Sequence, residues 1–198
     1  MDLPLIRSRI SKLARSVSSP EPHETEPKAA VAAILRVESA GPEVLLIERA
    51  ERIGDPWSGQ MAFPGGRRAS EETALDTAIR ETMEEVAIDL RTHELLGPIA
   101  DIPTHRTGLI VRLFTFVLTS NVTPSPHARE VADVLWVPML PMRRGEVSGT
   151  YDFQPDGMDT TITLPCFRVP DREGAPRVVW GLTYRMLEVL FEALSAEQ

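Results

Sequence analysis

The sequence predicts an α/β fold in which a mixed β-sheet lies between helical layers. Short apolar runs of strand character outnumber the helical patterns along the chain. Two amphipathic helical patterns, one within residues 66–88 and one over residues 181–196, sit among those runs, and a third opens the chain. A length of 198 residues with 42% hydrophobic side chains suits a single domain with its own core.

In chain order, Leu3, Leu5, Ile6, Ile10, Leu13 and Val17 recur near helical spacing, with Arg7, Arg9, Lys12 and Arg15 between them. Basic amphipathic segments can be transit or membrane-surface helices. Here the apolar stripe is short and an acidic segment follows, so a helix packed on the domain is expected. Residues 18–28 carry three prolines and read as a linker in which His23 is solvated. Residues 1–28 are therefore an N-terminal helix and linker, and residues 29–198 the domain proper. Residues 29–37 and 44–48 read as two strands joined by a turn, residues 54–59 as a loop and residues 60–63 as a short strand. Pro64-Gly65-Gly66 reads as a tight turn entering the next helix. Residues 94–102 and 110–118 are strand-like, with a long polar loop between them. A proline-rich loop over 121–129 leads to a strand over 130–138 and a short helical turn over 138–145. Residues 147–169 suggest a hairpin around Pro155-Asp156-Gly157. Residues 177–180 are a last strand, and Leu182, Met186, Val189, Leu190 and Leu194 mark a closing helix packed on the sheet.

The stretch from Gly66 to Ile88 carries the most chemical information. At about 100° per residue, Glu81, Glu84 and Glu85 share an arc of roughly 100° on one side of a helix. Leu75, Ile79, Thr82, Met83 and Val86 fall opposite, so that face is expected to be buried and the carboxylates presented. Like charges four residues apart cost roughly 0.2–0.5 kcal/mol, and the nearby cation is Arg80. A hard divalent ion takes oxygen ligands, removes that repulsion and keeps waters for a phosphate-bearing substrate. Taken alone, three glutamates read as an ordinary solvated face. The wider spacing decides against that. Gly66, Glu72, Arg80, Glu81, Glu84 and Glu85 match Gly-x5-Glu-x7-Arg-Glu-x2-Glu-Glu, which arises by chance in about one in 10⁵ chains of this length.

This pattern resembles the Nudix box, the signature of the Nudix hydrolases. The resemblance implies an α/β/α sandwich and cleavage of a pyrophosphate linked to another moiety, with Mg²⁺ or Mn²⁺. Thr82 stands where the family prefers an aliphatic residue, but it has valine's shape and can pack. Ala87 stands where the family has glycine, which a left-handed helix cap prefers, so the helix is expected to run on or end differently. The run Ser58-Gly59-Gln60-Met61-Ala62-Phe63-Pro64-Gly65-Gly66 is similar to one in coenzyme A pyrophosphatases, as are residues 45–50 and Trp180-Gly181-Leu182-Thr183. Ile47 replaces that subgroup's threonine, and Gly54 stands near its second arginine. The implied reaction is hydrolysis of coenzyme A to 4′-phosphopantetheine and adenosine 3′,5′-bisphosphate. ADP-ribose, dinucleotides and nucleoside triphosphates are alternative substrates, and a non-catalytic nucleotide-binding module of the same fold is the alternative outside catalysis.

On this resemblance the metal ligands are Glu81, Glu84, Glu85 and the Gly65 carbonyl. Arg80 pairs with Glu72 to fix the loop against the helix. Glu130 is an extra ligand or base, or simply a charge that opens a strand. Gly65 and Gly66 let backbone approach a ligand closely. Arg49 and Arg52 suit substrate phosphates, because arginine forks match phosphate oxygens. His105 and Arg106, in the polar loop, either contact phosphate or are merely exposed.

A net charge of −8 argues against nucleic acid and leaves a small-molecule pyrophosphate as the expected partner. The single cysteine, Cys166, forms no internal disulfide and suits a reducing cytoplasm. No run reaches the ~18 apolar residues of a membrane span. A homodimer stays open.

Overall fold

The computed structural model describes residues 2–17, 27–55, 57–104, 108–155, 159–171 and 173–195. In order these form α1 (Leu3–Val17), β1 (Ala29–Glu38), β2 (Gly41–Arg49), β3 (Met61–Ala62), β4 (Gly65–Arg67), α2 (Ala74–Val86), β5 (Glu94–Pro103), β6 (Ile110–Val117), β7 (Val131–Pro138), α3 (Met139–Arg143), β8 (Ser148–Phe153), β9 (Ile162–Pro170), β10 (Pro176–Trp180) and α4 (Gly181–Ser195). The linker over 18–26 with His23, and the tip of the hairpin over 156–158, lie outside the described residues.

Burial on both sides of the central strands sets the architecture. β1 sends Ala30, Ala32 and Ile34 into one core and Ala29, Ala33 and Leu35 into the other. β2 divides Leu45 and Ile47 from Val44 and Leu46 in the same way. Strands apolar on both faces need a covering layer on each. The main sheet has seven strands in the order β3-β2-β1-β6-β5, with β4 beside β1 and β7 beside β2. Its β1–β6 pair is parallel and its other pairs are antiparallel, so the sheet is mixed as expected.

One face is covered by α2, through Ala74, Ala78 and Val86, with Ile88 and Leu90 just beyond it. The other is covered by Ile6 and Ile10 of α1, Met139 and Met142 of α3, and Met186, Leu187, Leu190 and Leu194 of α4. The N-terminal helix therefore packs on the domain. Its basic side is tied down too, since Arg7 Nε donates to both carboxylate oxygens of Glu94 at 3.0 and 2.8 Å. Among the described residues no helix is long and apolar enough to cross a membrane.

Two features refine the expected outline. The hairpin expected over residues 147–169 is present as β8 and β9, apart from the main sheet. β8, β9 and β10 form their own antiparallel sheet, and Phe167, Val169 and Val179 turn from it into the α1/α4 core. Pro64-Gly65-Gly66 is not the expected turn that enters the helix. Gly65–Arg67 are β4, paired with β1 in the register Val31↔Gly65. The approach is so close that a Cβ on Gly65 would lie 2.3 Å from the Ala30 carbonyl oxygen. The helix starts seven residues later, where Thr73 can cap it. Thr73 Oγ1 accepts from the Asp76 amide, and Asp76 Oδ2 accepts from the Thr73 amide.

The far end of α2 shows what the missing glycine does. Ala87 adopts the left-handed conformation, φ 57° and ψ 35°, and its amide caps the Met83 carbonyl. The chain ends the helix as a glycine would, at a steric cost to the Ala87 Cβ of about 1 kcal/mol. Ala87→Gly is therefore expected to stabilise the protein by about 0.5–1 kcal/mol, read as a higher urea midpoint at unchanged slope.

Candidate active site

The site is built where α2 crosses the glycine strand. Small residues decide how the helix lies: Thr77, Ala78 and Thr82 face the sheet, against Ala30 and Ala32 of β1, and are fully buried. Thr82 packs as expected, and its hydroxyl donates to the Ala78 carbonyl at 2.7 Å. This choice turns the helix relative to the expected stripe. Met83, expected inside, is 47% exposed, whereas Glu85, expected on the open side, is 4% exposed.

Before the helix, Glu72 accepts hydrogen bonds from the Ala69 amide, the Thr77 hydroxyl and Arg80. Arg80 grips it with Nε at 2.5 Å and Nη2 at 3.1 Å. Those bonds, Arg80 foremost, hold the Glu72 carboxyl down at about 2. The same guanidinium donates through Nη1 to Glu81 and Glu84, each at 2.9 Å, and through Nη2 to the Arg67 carbonyl at 3.3 Å. Arg80 thus does fix the loop to the helix, and it gathers three carboxylates in doing so.

Glu81 lies over Gly66, where a Cβ would come within 2.5 Å of its carboxyl carbon. No residue larger than glycine leaves that carboxylate in place. Burial raises the Glu81 pKa, and the Arg80 contacts oppose it. Glu85 goes deeper, and its Oε2 accepts the Gly65 N–H at 2.9 Å. Burial pushes its carboxyl up to about 7 despite that bond, with the charges of Glu81 and Glu130 adding to the rise and Arg49 opposing it.

The surrounding loops close on the same point. The Ser125 and His127 amides donate to the Val86 and Glu85 carbonyls, both at 2.9 Å, satisfying the end of the helix. Glu130 follows directly. It is partly exposed, its amide bonded to the His127 carbonyl and its own carbonyl accepting the Ala50 amide. Arg52 donates to the Arg129 carbonyl at 3.1 and 2.7 Å and meets Glu130 at 3.5 Å. Arg49 donates to Asp55 Oδ2 at 3.0 Å.

The fold therefore brings together Glu81, Glu84, Glu85, Arg80, Gly65, Gly66, Glu130, Arg49 and Arg52. His105 and Arg106 lie outside the described residues. Asp55 and Ser58 were missed, and both shape the loop: Asp55 holds Arg49 and the Trp57 amide, and Ser58 Oγ exchanges hydrogen bonds with the Arg52 backbone. The signal for them was the Gly54-Asp55-Pro56 turn, where an aspartate bonds nearby backbone.

Among the described residues, no three His, Cys, Asp or Glu side chains already converge on one metal-sized point. Arg80 holds Glu81 and Glu84, and the Gly65 amide holds Glu85. The donor set still fits a hard divalent cation: its atoms are carboxylate oxygens, and Glu85 is buried within reach of two further negative charges. A cavity of about 340 Å³ lies at the far end of β1, lined by Arg36, Glu38, Thr119 and Asn121. It has neither clustered carboxylates nor a glycine cradle, so chemistry rather than concavity marks the site.

Comparison with known proteins agrees with this geometry. Residues 26–152 match the model of the NUDIX domain. The uncharacterized protein C14C4.10c of Schizosaccharomyces pombe is 38% identical over 106 residues, covering 50% of this chain and 32% of that protein. The chain thus spans about a third of the length of that relative. The uncharacterized Nudix hydrolase NudL of Yersinia enterocolitica is 26% identical over 155 residues, covering 78% of this chain and 75% of the relative. A MutT/nudix family protein from Enterococcus faecalis shares the fold, with a TM-score of 0.51 at 14% identity over 98% of this chain and 73% of that one.

Burial of Glu85 has a measurable consequence. Its folded pKa, about 7, lies above the ordinary 4.5. The metal-free protein thus keeps its full stability from this group below pH 4.5 and loses it as pH rises through about 7. In EDTA, Glu85→Gln is expected to match the parent at pH 5 and to exceed it at pH 8 by on the order of 2 kcal/mol, read by urea unfolding.

Proposed function

The chain belongs to the NUDIX domain family, and from that premise we propose that it is a metal-dependent pyrophosphohydrolase acting on a nucleoside diphosphate derivative, with coenzyme A as its preferred substrate. One observation carries the reaction class: Glu85, buried on the Gly65 amide, stands within the fields of Glu81 and Glu130, with Arg49 the opposing cation. A divalent ion and a pyrophosphate complete such a place. The resemblance of residues 45–50, 58–66 and 180–183 to coenzyme A pyrophosphatases supports the substrate.

Glu81, Glu84, Glu85 and the Gly65 carbonyl would hold Mg²⁺ or Mn²⁺, which neutralises the diphosphate and sharpens the acidity of water beside it. The protein's own groups do the rest. Gly65 and Gly66 let β1 and the Glu81 carboxylate approach the strand closely, since a Cβ on either would meet them. The Gly65 N–H fixes Oε2 of Glu85. Arg80, bonded to Glu72, holds the carboxylates in place. Glu130, partly exposed and met by Arg52 at a long 3.5 Å, is the carboxylate free to take the proton as water attacks phosphorus. Cleavage of coenzyme A yields 4′-phosphopantetheine and adenosine 3′,5′-bisphosphate. The protein is proposed to work in the cytoplasm on this small molecule, without nucleic acid or membrane.

A second reading has its own support. Arg49 and Arg52, the arginines suited to substrate phosphates, are engaged by Asp55 and by the Arg129 carbonyl. A substrate recognised without them, such as ADP-ribose, a dinucleotide or a nucleoside triphosphate, fits this arrangement. A panel of these compounds and coenzyme A, assayed with Mg²⁺ and with Mn²⁺, decides. Coenzyme A is expected to give the highest kcat/KM, and equal or better cleavage of another compound selects the second reading. Glu85→Gln is expected to lower kcat by a factor of about 10² or more with either metal, while the protein stays folded. Unchanged turnover removes Glu85 from the site.

A further inference from the structure

The loop over residues 50–60 carries an apolar display beside the charged site. Ile53 is fully exposed and Trp57 is 40% exposed. Exposed apolar residues are common singly, but here they sit in a rigid loop. The Asp55 amide bonds the Arg52 carbonyl, the Ser58 amide bonds the Asp55 carbonyl, and the Gly59 amide bonds the Arg49 carbonyl. Ser58 Oγ closes onto the Arg52 backbone. None of these bonds uses the indole ring.

The chain has three tryptophans. Trp136 lies under the Arg36 guanidinium, 4.3 Å away, and Trp180 stacks with Tyr151 and Phe153 at 4.8 Å. Among the described residues no ring or cation contact involves Trp57. Its main chain is nonetheless tied to the site. One oxygen of Asp55 accepts from Arg49 and the other from the Trp57 amide, at 3.0 Å each. Arg49 in turn acts on Glu85. A single carboxylate therefore ties the arginine beside the buried glutamate to the main chain that carries the unpartnered ring.

We propose that Trp57 is the stacking platform for the nucleobase of the substrate, on a loop that Asp55 ties to the diphosphate site. This rests on the pyrophosphatase reading for its ligand. A flat heteroaromatic ring is the group an unpartnered, partly exposed indole binds best, because stacking needs a free face. Every substrate weighed above carries such a base. Ile53 widens the apolar rim on the same loop.

The test uses the full-length protein with AMP and ribose 5-phosphate, which differ only by the base. AMP is expected to quench the tryptophan emission of the parent, and ribose 5-phosphate to leave it unchanged. Trp57→Ala is expected to weaken AMP binding about ten-fold or more by calorimetry, with ribose 5-phosphate unaffected, and Trp57→Phe to restore most of it. In hydrolysis, Trp57→Ala is expected to raise KM by a similar factor at unchanged kcat. If Trp57→Ala binds AMP as the parent does, or the parent does not bind AMP, the stacking role is overturned, whatever pyrophosphate it cleaves. A parent that binds AMP through Trp57 yet cleaves no pyrophosphate keeps the base site and overturns the hydrolase.

Discussion

The hydrogen bond from the Gly65 amide to Glu85 joins α2 to β4 inside the fold, and the surrounding structure is arranged to keep it. β4 reaches that position because nothing projects from Gly65 against the Ala30 carbonyl. α2 reaches it because alanine and threonine, rather than larger side chains, meet the alanines of β1. The chain over 125–127 then bonds the last helical carbonyls, those of Glu85 and Val86. A buried acid with one amide partner and two acidic neighbours is electrostatically unfinished. The fold tolerates it because packing on both sides leaves the side chain little room to leave.

Arg80 supplies the complementary constraint. One guanidinium meets Glu72, Glu81, Glu84 and the Arg67 carbonyl, so it spans the strand, the loop and the helix. Its planar fork can bond a carboxylate on two edges at once, which a lysine ammonium cannot do. It holds Glu81 and Glu84 of the acidic cluster together. A charge arriving at the cluster competes with a bond already made, so occupancy and the set of the side chains are linked.

Much of this was legible in the sequence because it depends on spacing. The intervals between Gly66, Glu72, Arg80, Glu81, Glu84 and Glu85 fix one helix and its approach, and short apolar runs mark the strands on either side. What the sequence hid depends on partners far along the chain. That Glu85 is inside and Met83 outside follows from which small residues lie on β1, not from the helix's own periodicity. That Gly65–Arg67 are a strand needs Ala29–Val31 beside them. Arg52 is bound by a carbonyl 77 residues away, and periodicity cannot show such a contact. The separate C-terminal sheet was hidden for the same reason, since strand character does not say which strand is the neighbour.

The span that carries the family likeness, residues 26–152, leaves out both α1 and α4. Those helices lay Ile6, Ile10, Met186, Leu187, Leu190 and Leu194 over a sheet face that includes Val44, Leu46, Leu113 and Val117. A fragment trimmed to the matched span would keep every glutamate of the acidic cluster and open that oily face to water. Ancestry and packing draw different borders on this chain: the matched span stops short of the two helices that close the apolar core.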